Sequence, residues 1–246
     1  MTDDPTSSTP AAEVDLDDFD DPGPWDHLAL VLDVDDHVAA MRLAAQLRPF
    51  FRVAKVGLEL YSAVGPEVVT GLMNLGYDVF CDLKLHDIPT TVNRASRVIG
   101  ALGASYLNVH TSAGVDVVRA GVEGFADGAE RAGLPAPMML GVTVLTSDQD
   151  SSESVLRRRL DVAVEAGCGG VVCGAPDLAT VREVGPSLFT VVPGIRPEGA
   201  DHHDQVRVAT PRAALDAGAD LLVIGRAVTH ADDPEAAAVA IVESLS

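Results

Sequence analysis

The chain has 246 residues, 47% of them apolar, and a formal net charge of −20. That length suits one large domain or two small ones, with enough apolar residues for a sizeable core. The acidity argues against nucleic acid and anionic membrane surfaces as partners, because both reward a basic face.

Residues 1–25 hold eight carboxylates and no Lys or Arg, in a run rich in Asp, Pro, Ser and Thr. This stretch reads as a disordered acidic tail ahead of a single domain spanning 26–246. It has neither the basic n-region nor the apolar h-region of a signal peptide. No apolar stretch approaches the length of a bilayer span, so a cytoplasmic protein is expected. Cys81, Cys168 and Cys173 are odd in number and match no zinc spacing, which predicts reduced, buried thiols.

From Trp25 onward, short Val/Leu/Ile runs alternate with Ala-rich amphipathic stretches. The predicted strands are His27–Val34, Phe51–Val56, Tyr77–Leu83, Ser105–His110, Pro137–Val142, Gly169–Cys173, Leu188–Val192 and Asp220–Ile224. The predicted helices are His37–Leu47, Pro66–Leu75, Thr91–Leu102, Val115–Ala132, Ser154–Ala166, Asp177–Val184, Pro211–Ala217 and Pro234–Leu245. Eight strand–helix units predict an α/β fold, a (β/α)8 TIM barrel. A doubly wound open sheet is the alternative, since the same alternation feeds both. No Gly-x-Gly-x-x-Gly follows the first strand, which weakens that alternative.

A barrel of this kind places its site where strands end and loops begin. The polar residues at those ends are Asp33, Lys55, Asp82 with Lys84, Asn108 with His110, Thr146, Arg196 and Gly225-Arg226. The chain has only two lysines, Lys55 and Lys84, against fifteen arginines. A protein that meets its need for surface cations with arginine keeps lysine for what arginine cannot do, which is to give up a proton. In an extended strand, residues two apart share a face. Asp82 and Lys84 are therefore expected to project together, with Cys81 and Leu83 facing the helices. Asp87-Ile88-Pro89-Thr90-Thr91 reads as a helix start. A structural ion network at the barrel mouth is the plain alternative for Asp82, Lys84 and Asp87.

The pattern Asp82-x-Lys84-x-x-Asp87-Ile88-x-x-Thr91 resembles the signature of the orotidine 5′-monophosphate decarboxylase family, in its bacterial form. The likeness extends to Asp33 in Leu-Asp-Val, Lys55 in Ala-Lys-Val-Gly, and the run ending Asn108-Val109-His110. It continues through Val-Thr-Val-Leu-Thr-Ser at 142–147, Pro193-Gly194-Ile195-Arg196-Pro197, Asp204-Gln205 and Ile224-Gly225-Arg226. The acidic tail lies outside it.

The resemblance implies conversion of orotidine 5′-monophosphate to uridine 5′-monophosphate and CO2, the last step of de novo pyrimidine synthesis, with no metal and no organic cofactor. It implies Lys84 as the proton donor to C6, with Asp82 beside the substrate carboxylate. Asp33 and Lys55 extend the charge array and hold the ribose. Arg196, Gln205, Gly225 and Arg226 are implied for the phosphate, and Thr146 for the pyrimidine edge. Asp87 and Thr91 are implied to reach the neighbouring subunit's site, which makes the expected working unit a homodimer with shared sites. The segment 194–206, Gly-rich and polar, is expected to close over substrate.

Other polar residues read more plainly. His86 is expected to be structural, and His202 with His203 a solvated pair. Arg157, Arg158 and Arg159 are expected to form a solvated helix face. The alternative enzyme is a magnesium-dependent sugar-phosphate decarboxylase or synthase on the same barrel. A non-catalytic nucleotide-binding protein is a third reading, which loss of Lys84 or Asp82 would signal.

Overall fold

A computed structural model describes residues 23–144, 152–196 and 209–245. Eight parallel strands close on themselves in chain order. They are β1 (Leu28–Leu32), β2 (Val53–Val56), β3 (Asp78–Leu85), β4 (Tyr106–His110), β5 (Met138–Val142), β6 (Gly170–Val172), β7 (Phe189–Val192) and β8 (Leu221–Ile224). β8 pairs back onto β1 in the register Leu28↔Leu222, Ala29↔Val223 and Leu30↔Ile224. That last pairing closes the (β/α)8 barrel and overturns the open-sheet alternative.

Strand parity divides the core in two. Ala29, Val31, Val53, Phe80, Leu140, Val191, Leu221 and Val223 pack into one cluster, which fills the barrel. Tyr106 sits among them, edge-on to Phe80 at 6.3 Å and stacked on Phe189 at 6.1 Å. The alternate positions, such as Leu28, Leu30, Leu32, Ala54, Val56, Val79, Cys81, Leu107 and Val109, join a larger cluster beneath the helices. Period-two alternation in strands that are apolar on both faces produces these two layers. Cys81, Cys168 and Cys173 are all buried and free. Burial pushes the Cys81 thiol up to about 12, with help from the Asp82 charge.

The helices are α1 (His37–Leu47), α2 (Leu58–Val64), α3 (Glu67–Asn74), α4 (Pro89–Ala101), α5 (Val115–Arg131), α6 (Glu153–Ala166), α7 (Leu178–Val184), α8 (Pro211–Asp216), α9 (Arg226–Thr229) and α10 (Pro234–Glu243). Side-chain caps start several of them. Asp36 Oδ1 accepts from Ala39 N–H at 2.6 Å, and Asp233 Oδ1 from Ala236 N–H at 3.0 Å. Two helices, α2 and α9, are absent from the periodicity reading. Each is short and starts directly at a glycine that ends a strand, so neither offers a long amphipathic stripe.

α4 and α5 lie backbone to backbone. A Cβ on Gly124 would sit 2.2 Å from the Asn93 carbonyl oxygen, and one on Gly128 would sit 2.0 Å from that of Arg97. Any side chain there would force apart the helix that follows β3. At the opposite end from the strand carboxyl termini, Thr190 ties β7 to β8. Its hydroxyl lies 2.7 Å from Asp220 Oδ2, and the same carboxylate accepts from Arg182 at 2.8 Å. This polar cluster braces β7 against β8 at the barrel floor.

Candidate active site

The parity that fills the barrel continues upward into its mouth. Ala29 and Val31 lead to Asp33, Val53 to Lys55, Phe80 to Asp82, Tyr106 to Asn108, and Val223 to Gly225. The polar residues that end these strands therefore inherit an inward direction from the apolar residues beneath them.

They meet in a ladder of alternating charge. Lys55 Nζ lies 3.3 Å from Asp33 Oδ1 and 3.1 Å from Asp82 Oδ2. Lys84 Nζ lies 2.5 Å from Asp82 Oδ1. Lys55 is buried and the Asp82 side chain is 14% exposed, so the middle of the array is sheltered while both its ends, Asp33 and Lys84, reach solvent. Burial alone would raise the Asp82 carboxyl. The charges of Lys55 and Lys84, with hydrogen bonds from Lys84 and Asn108, outweigh it and hold the group down at about 2.

Lys84 does not get there by simple strand periodicity. β3 and β4 pair at Phe80↔Tyr106 and Cys81↔Leu107, then next at Leu85↔Val109. Asp82, Leu83 and Lys84 therefore face the single residue Asn108. Lys84 takes a left-handed backbone with φ +50°, the one positive-φ residue other than glycine among the described residues. That conformation costs on the order of 1 kcal/mol for an L-residue, and such strain gathers where geometry matters. The expected face-sharing of Asp82 and Lys84 is thus corrected. The side chains do meet, but through a bulge, and the strand runs on to Leu85 because the ladder resumes there. The Asn108 carboxamide fills the gap: its Oδ1 accepts from Lys84 N–H at 2.7 Å, and its Nδ2 donates to Asp82 Oδ1 at 2.7 Å.

The ladder lines a cavity of about 610 Å³, in the range that holds a drug-sized or nucleotide-sized ligand. Asp33, Lys55, Asp82 and Lys84 share it with Arg196, Gly225 and Arg226. Arg196 follows β7 and is 7% exposed, and Arg226 opens α9 directly after β8. Arg196 N–H donates to Ala209 O at 3.0 Å, and Ala209 N–H to Gly194 O at 3.3 Å. These bonds hold the two ends of segment 197–208 together at the rim. Thr146, Gln205, His202 and His203 lie outside the described residues, as does most of the expected closing segment 194–206 and residues 1–22 of the expected tail.

Asp87 and Thr91 stand apart from this constellation. Both are exposed and neither lines the cavity. Asp87 Oδ1 accepts from the neighbouring Ile88 N–H at 2.6 Å, and the Ile88 side chain beside it is 65% exposed. His86 lies 5.5 Å from His110, ring to ring, at the same rim. The expected solvated face of Arg157–Arg159 is corrected at one position. Arg157 pairs with Glu153 and Glu183 in solvent, whereas Arg159 Nη1 donates to Thr143 O at 2.5 Å and ties α6 to the end of β5.

Three contributors escaped the sequence. Gly57 sits under the ladder, where a Cβ would lie 2.5 Å from Asp33 Oδ1 and 3.3 Å from Lys55 Nζ. Its sequence signals are its place two residues after a charged strand end and at the close of the Ala-Lys-Val-Gly run, and neither shows the tight space. Glu59 and His230 also line the cavity, and nothing in their spacing set them apart. Among the described residues, no group of three or more His, Cys, Asp or Glu is placed to hold a metal ion.

A closed parallel barrel with its charged cavity at the carboxyl ends of the strands defines the class, a (β/α)8-barrel enzyme. Residues 26–241 match the model of the "Orotidine 5'-phosphate decarboxylase / HUMPS family", and the chain belongs to that family. It is 44% identical over 233 residues to the orotidine 5′-phosphate decarboxylase of Anaeromyxobacter dehalogenans, covering 90% of this chain and 99% of that one. The enzyme of the same name from Thermobifida fusca is 44% identical over 230 residues, covering 89% and 95%. Among solved structures, that of the orotidine 5′-phosphate decarboxylase of Lactobacillus acidophilus superposes with a TM-score of 0.76. It is 30% identical and covers 89% of this chain and 98% of that one.

Proposed function

We propose that the chain decarboxylates orotidine 5′-monophosphate to uridine 5′-monophosphate and CO2 in pyrimidine biosynthesis, acting as a carbon–carbon lyase. The observation that carries this reading is the alternating array Asp33–Lys55–Asp82–Lys84, which shares one cavity with Arg196 and Arg226. Breaking the bond from C6 to the carboxyl carbon leaves an electron pair in the plane of the ring, where no π system delocalises it. A fixed ammonium beside C6 stabilises that charge electrostatically. The Lys84 proton then forms the C6–H bond, and solvent reprotonates the amine.

Asp82 has a second part in this scheme. Its carboxylate lies beside the departing carboxylate, and two such charges about 4 Å apart repel by roughly 4 kcal/mol at an effective dielectric of about 20. The repulsion is relieved as CO2 leaves. Lys55 holds Asp82 in place and, with Asp33, meets the ribose hydroxyls. Arg226, Arg196, the Gly225 amide and Gln205 bind the phosphate, for which arginine's bidentate fork is suited. Thr146 meets the pyrimidine edge. Phosphate binding far from C6 contributes to the transition state by drawing the rim closed.

We further infer a homodimer. Asp87, Ile88 and Thr91 are exposed on their own chain, which fits residues that complete a partner's cavity. Among the described residues no helix is long and apolar enough to cross a membrane, and the working compartment proposed is the cytoplasm.

The direct test is the loss of orotidine monophosphate absorbance on purified protein in metal-free buffer with EDTA. Turnover that survives chelation supports the reading. Turnover that needs added magnesium, or that occurs only with a sugar phosphate, would move the chain to the alternative enzyme.

A further inference from the structure

We propose that Asn108 is the positioning residue that sets the Lys84 ammonium against Asp82, by bridging the break in the β3–β4 ladder with its carboxamide. The inference deepens the decarboxylase reading and rests on it for its kinetic consequences.

The geometry is specific to a carboxamide. Between Cys81↔Leu107 and Leu85↔Val109, three residues of β3 stand opposite Asn108 alone. A regular ladder would give the Lys84 N–H a backbone carbonyl on β4. The bulge removes that partner, and a buried amide without one is costly. Asn108 Oδ1 takes its place at 2.7 Å. The other end of the same carboxamide donates to Asp82 Oδ1 at 2.7 Å, the oxygen that also receives Lys84 Nζ at 2.5 Å. One side chain therefore fixes both the backbone of Lys84, at φ +50°, and the carboxylate its ammonium meets. Asn108 is 0% exposed, so its rotamer is set by packing and does not wander. Only a group with an acceptor at one end and a donor at the other satisfies both contacts.

The charged groups around Asn108 are few. β3 presents Asp82 and Lys84, and Lys55 on β2 reaches the site through Asp82. β5 offers Leu140 at the paired position, and His110 follows two residues along β4. Two substitutions separate the roles. Asn108→Leu keeps the shape and removes both bonds. Asn108→Asp keeps the acceptor for Lys84 N–H but puts a second carboxylate against Asp82. Like charges at that distance favour uptake of a proton. Once protonated, Asp has the donor–acceptor pair of Asn and restores both contacts.

The test measures kcat and KM for orotidine monophosphate from pH 5.5 to 8.5, uridine monophosphate affinity, and hydrogen exchange at the Lys84 amide. For Asn108→Leu, kcat should fall by about 10²-fold at every pH, as a misplacement of about 1 Å of a catalytic group can do. KM and product affinity should stay within about threefold. For Asn108→Asp, the deficit should be largest at pH 8.5 and narrow by about tenfold or more towards pH 5.5. Exchange at the Lys84 amide should speed up in the Leu variant and stay slow in the Asp variant.

An Asn108→Leu enzyme with kcat within threefold of wild type overturns the proposal. So does an equal, pH-independent deficit in both variants, or exchange at Lys84 that Leu leaves unchanged. Exchange does not require turnover. A wild-type protein with no decarboxylase activity but the stated exchange pattern therefore retires the functional reading and leaves the positioning role standing.

Discussion

Lys84 Nζ lies 2.5 Å from Oδ1 of Asp82, two residues earlier in the chain, across a backbone that has left the extended conformation. The same carboxylate holds Lys55 Nζ at 3.1 Å on its other oxygen. The Lys84 ammonium is thus fixed by an anchor that is itself fixed.

Lys84→Ala removes the proposed proton donor and its charge while leaving the Lys55–Asp82 pair in place. Turnover should fall by about 10⁴-fold or more, since proton transfer and electrostatic stabilisation are lost together. Uridine monophosphate should still bind with affinity close to that of the unaltered protein, measured by calorimetry. A variant with near wild-type kcat would remove Lys84 from the mechanism.

The proposed shared sites make a prediction about mixtures. Lys84→Ala and Asp87→Ala proteins should each be nearly inactive. Co-refolded in equal amounts, they form heterodimers in which one site has its own Lys84 and the partner's Asp87. Half of the random dimers are of this kind, so activity should recover to about a quarter of wild type. A mixture no more active than its components would place Asp87 outside the partner's site.

Gly57 has an ordinary φ of −83°, so its backbone would accept alanine. The obstacle is space, because the new Cβ would lie 2.5 Å from Asp33 Oδ1. Gly57→Ala should push the Asp33 carboxylate off Lys55 and away from the proposed ribose subsite. The expected result is a fall in kcat/KM of about tenfold, with a melting temperature close to wild type. Unchanged kinetics would show that Asp33 can move without consequence.

Asp82 links the site to acid stability. Its folded-state value of about 2 lies below the ordinary carboxylate value of 3.8. A depressed value means the native state binds the proton less well, so stability is gained above pH 4 and lost as pH falls from 4 through 2. The contribution is about 2 kcal/mol at neutral pH. Asp82→Asn removes it, takes away the carboxylate between Lys55 and Lys84, and leaves Lys55 with Asp33 alone. Urea midpoints of the two proteins should differ most at pH 7 and converge between pH 4 and pH 2. A gap that stays constant through that window would contradict the linkage.

Much of this architecture is legible in the amino-acid sequence. The alternation of β-branched runs with Ala-rich helices specifies the barrel, because an apolar strand covered on both faces needs a helix after each crossing. The strand-end polar residues are legible for the same reason, since parity carries the inward direction of Val31, Val53 and Phe80 up to Asp33, Lys55 and Asp82. The short helices Leu58–Val64 and Arg226–Thr229 are not, because a helix of one or two turns leaves no periodic stripe. The tie between Arg159 and Thr143 is hidden as well. Three consecutive arginines look alike in sequence, and only packing tells which one turns inward.

The sequence by itself determined the family, the barrel and the ladder residues Asp33, Lys55, Asp82 and Lys84 at its mouth. These depend on local periodicity and on residue identity, which the chain carries directly. The tertiary structure alone decided how those groups touch. The bulge that places three residues of β3 opposite Asn108, the left-handed Lys84 and the tight space over Gly57 each come from pairing between segments far apart in the chain. A strand's neighbour, and a mismatch in length against it, are properties of the closed sheet, so no window of sequence contains them.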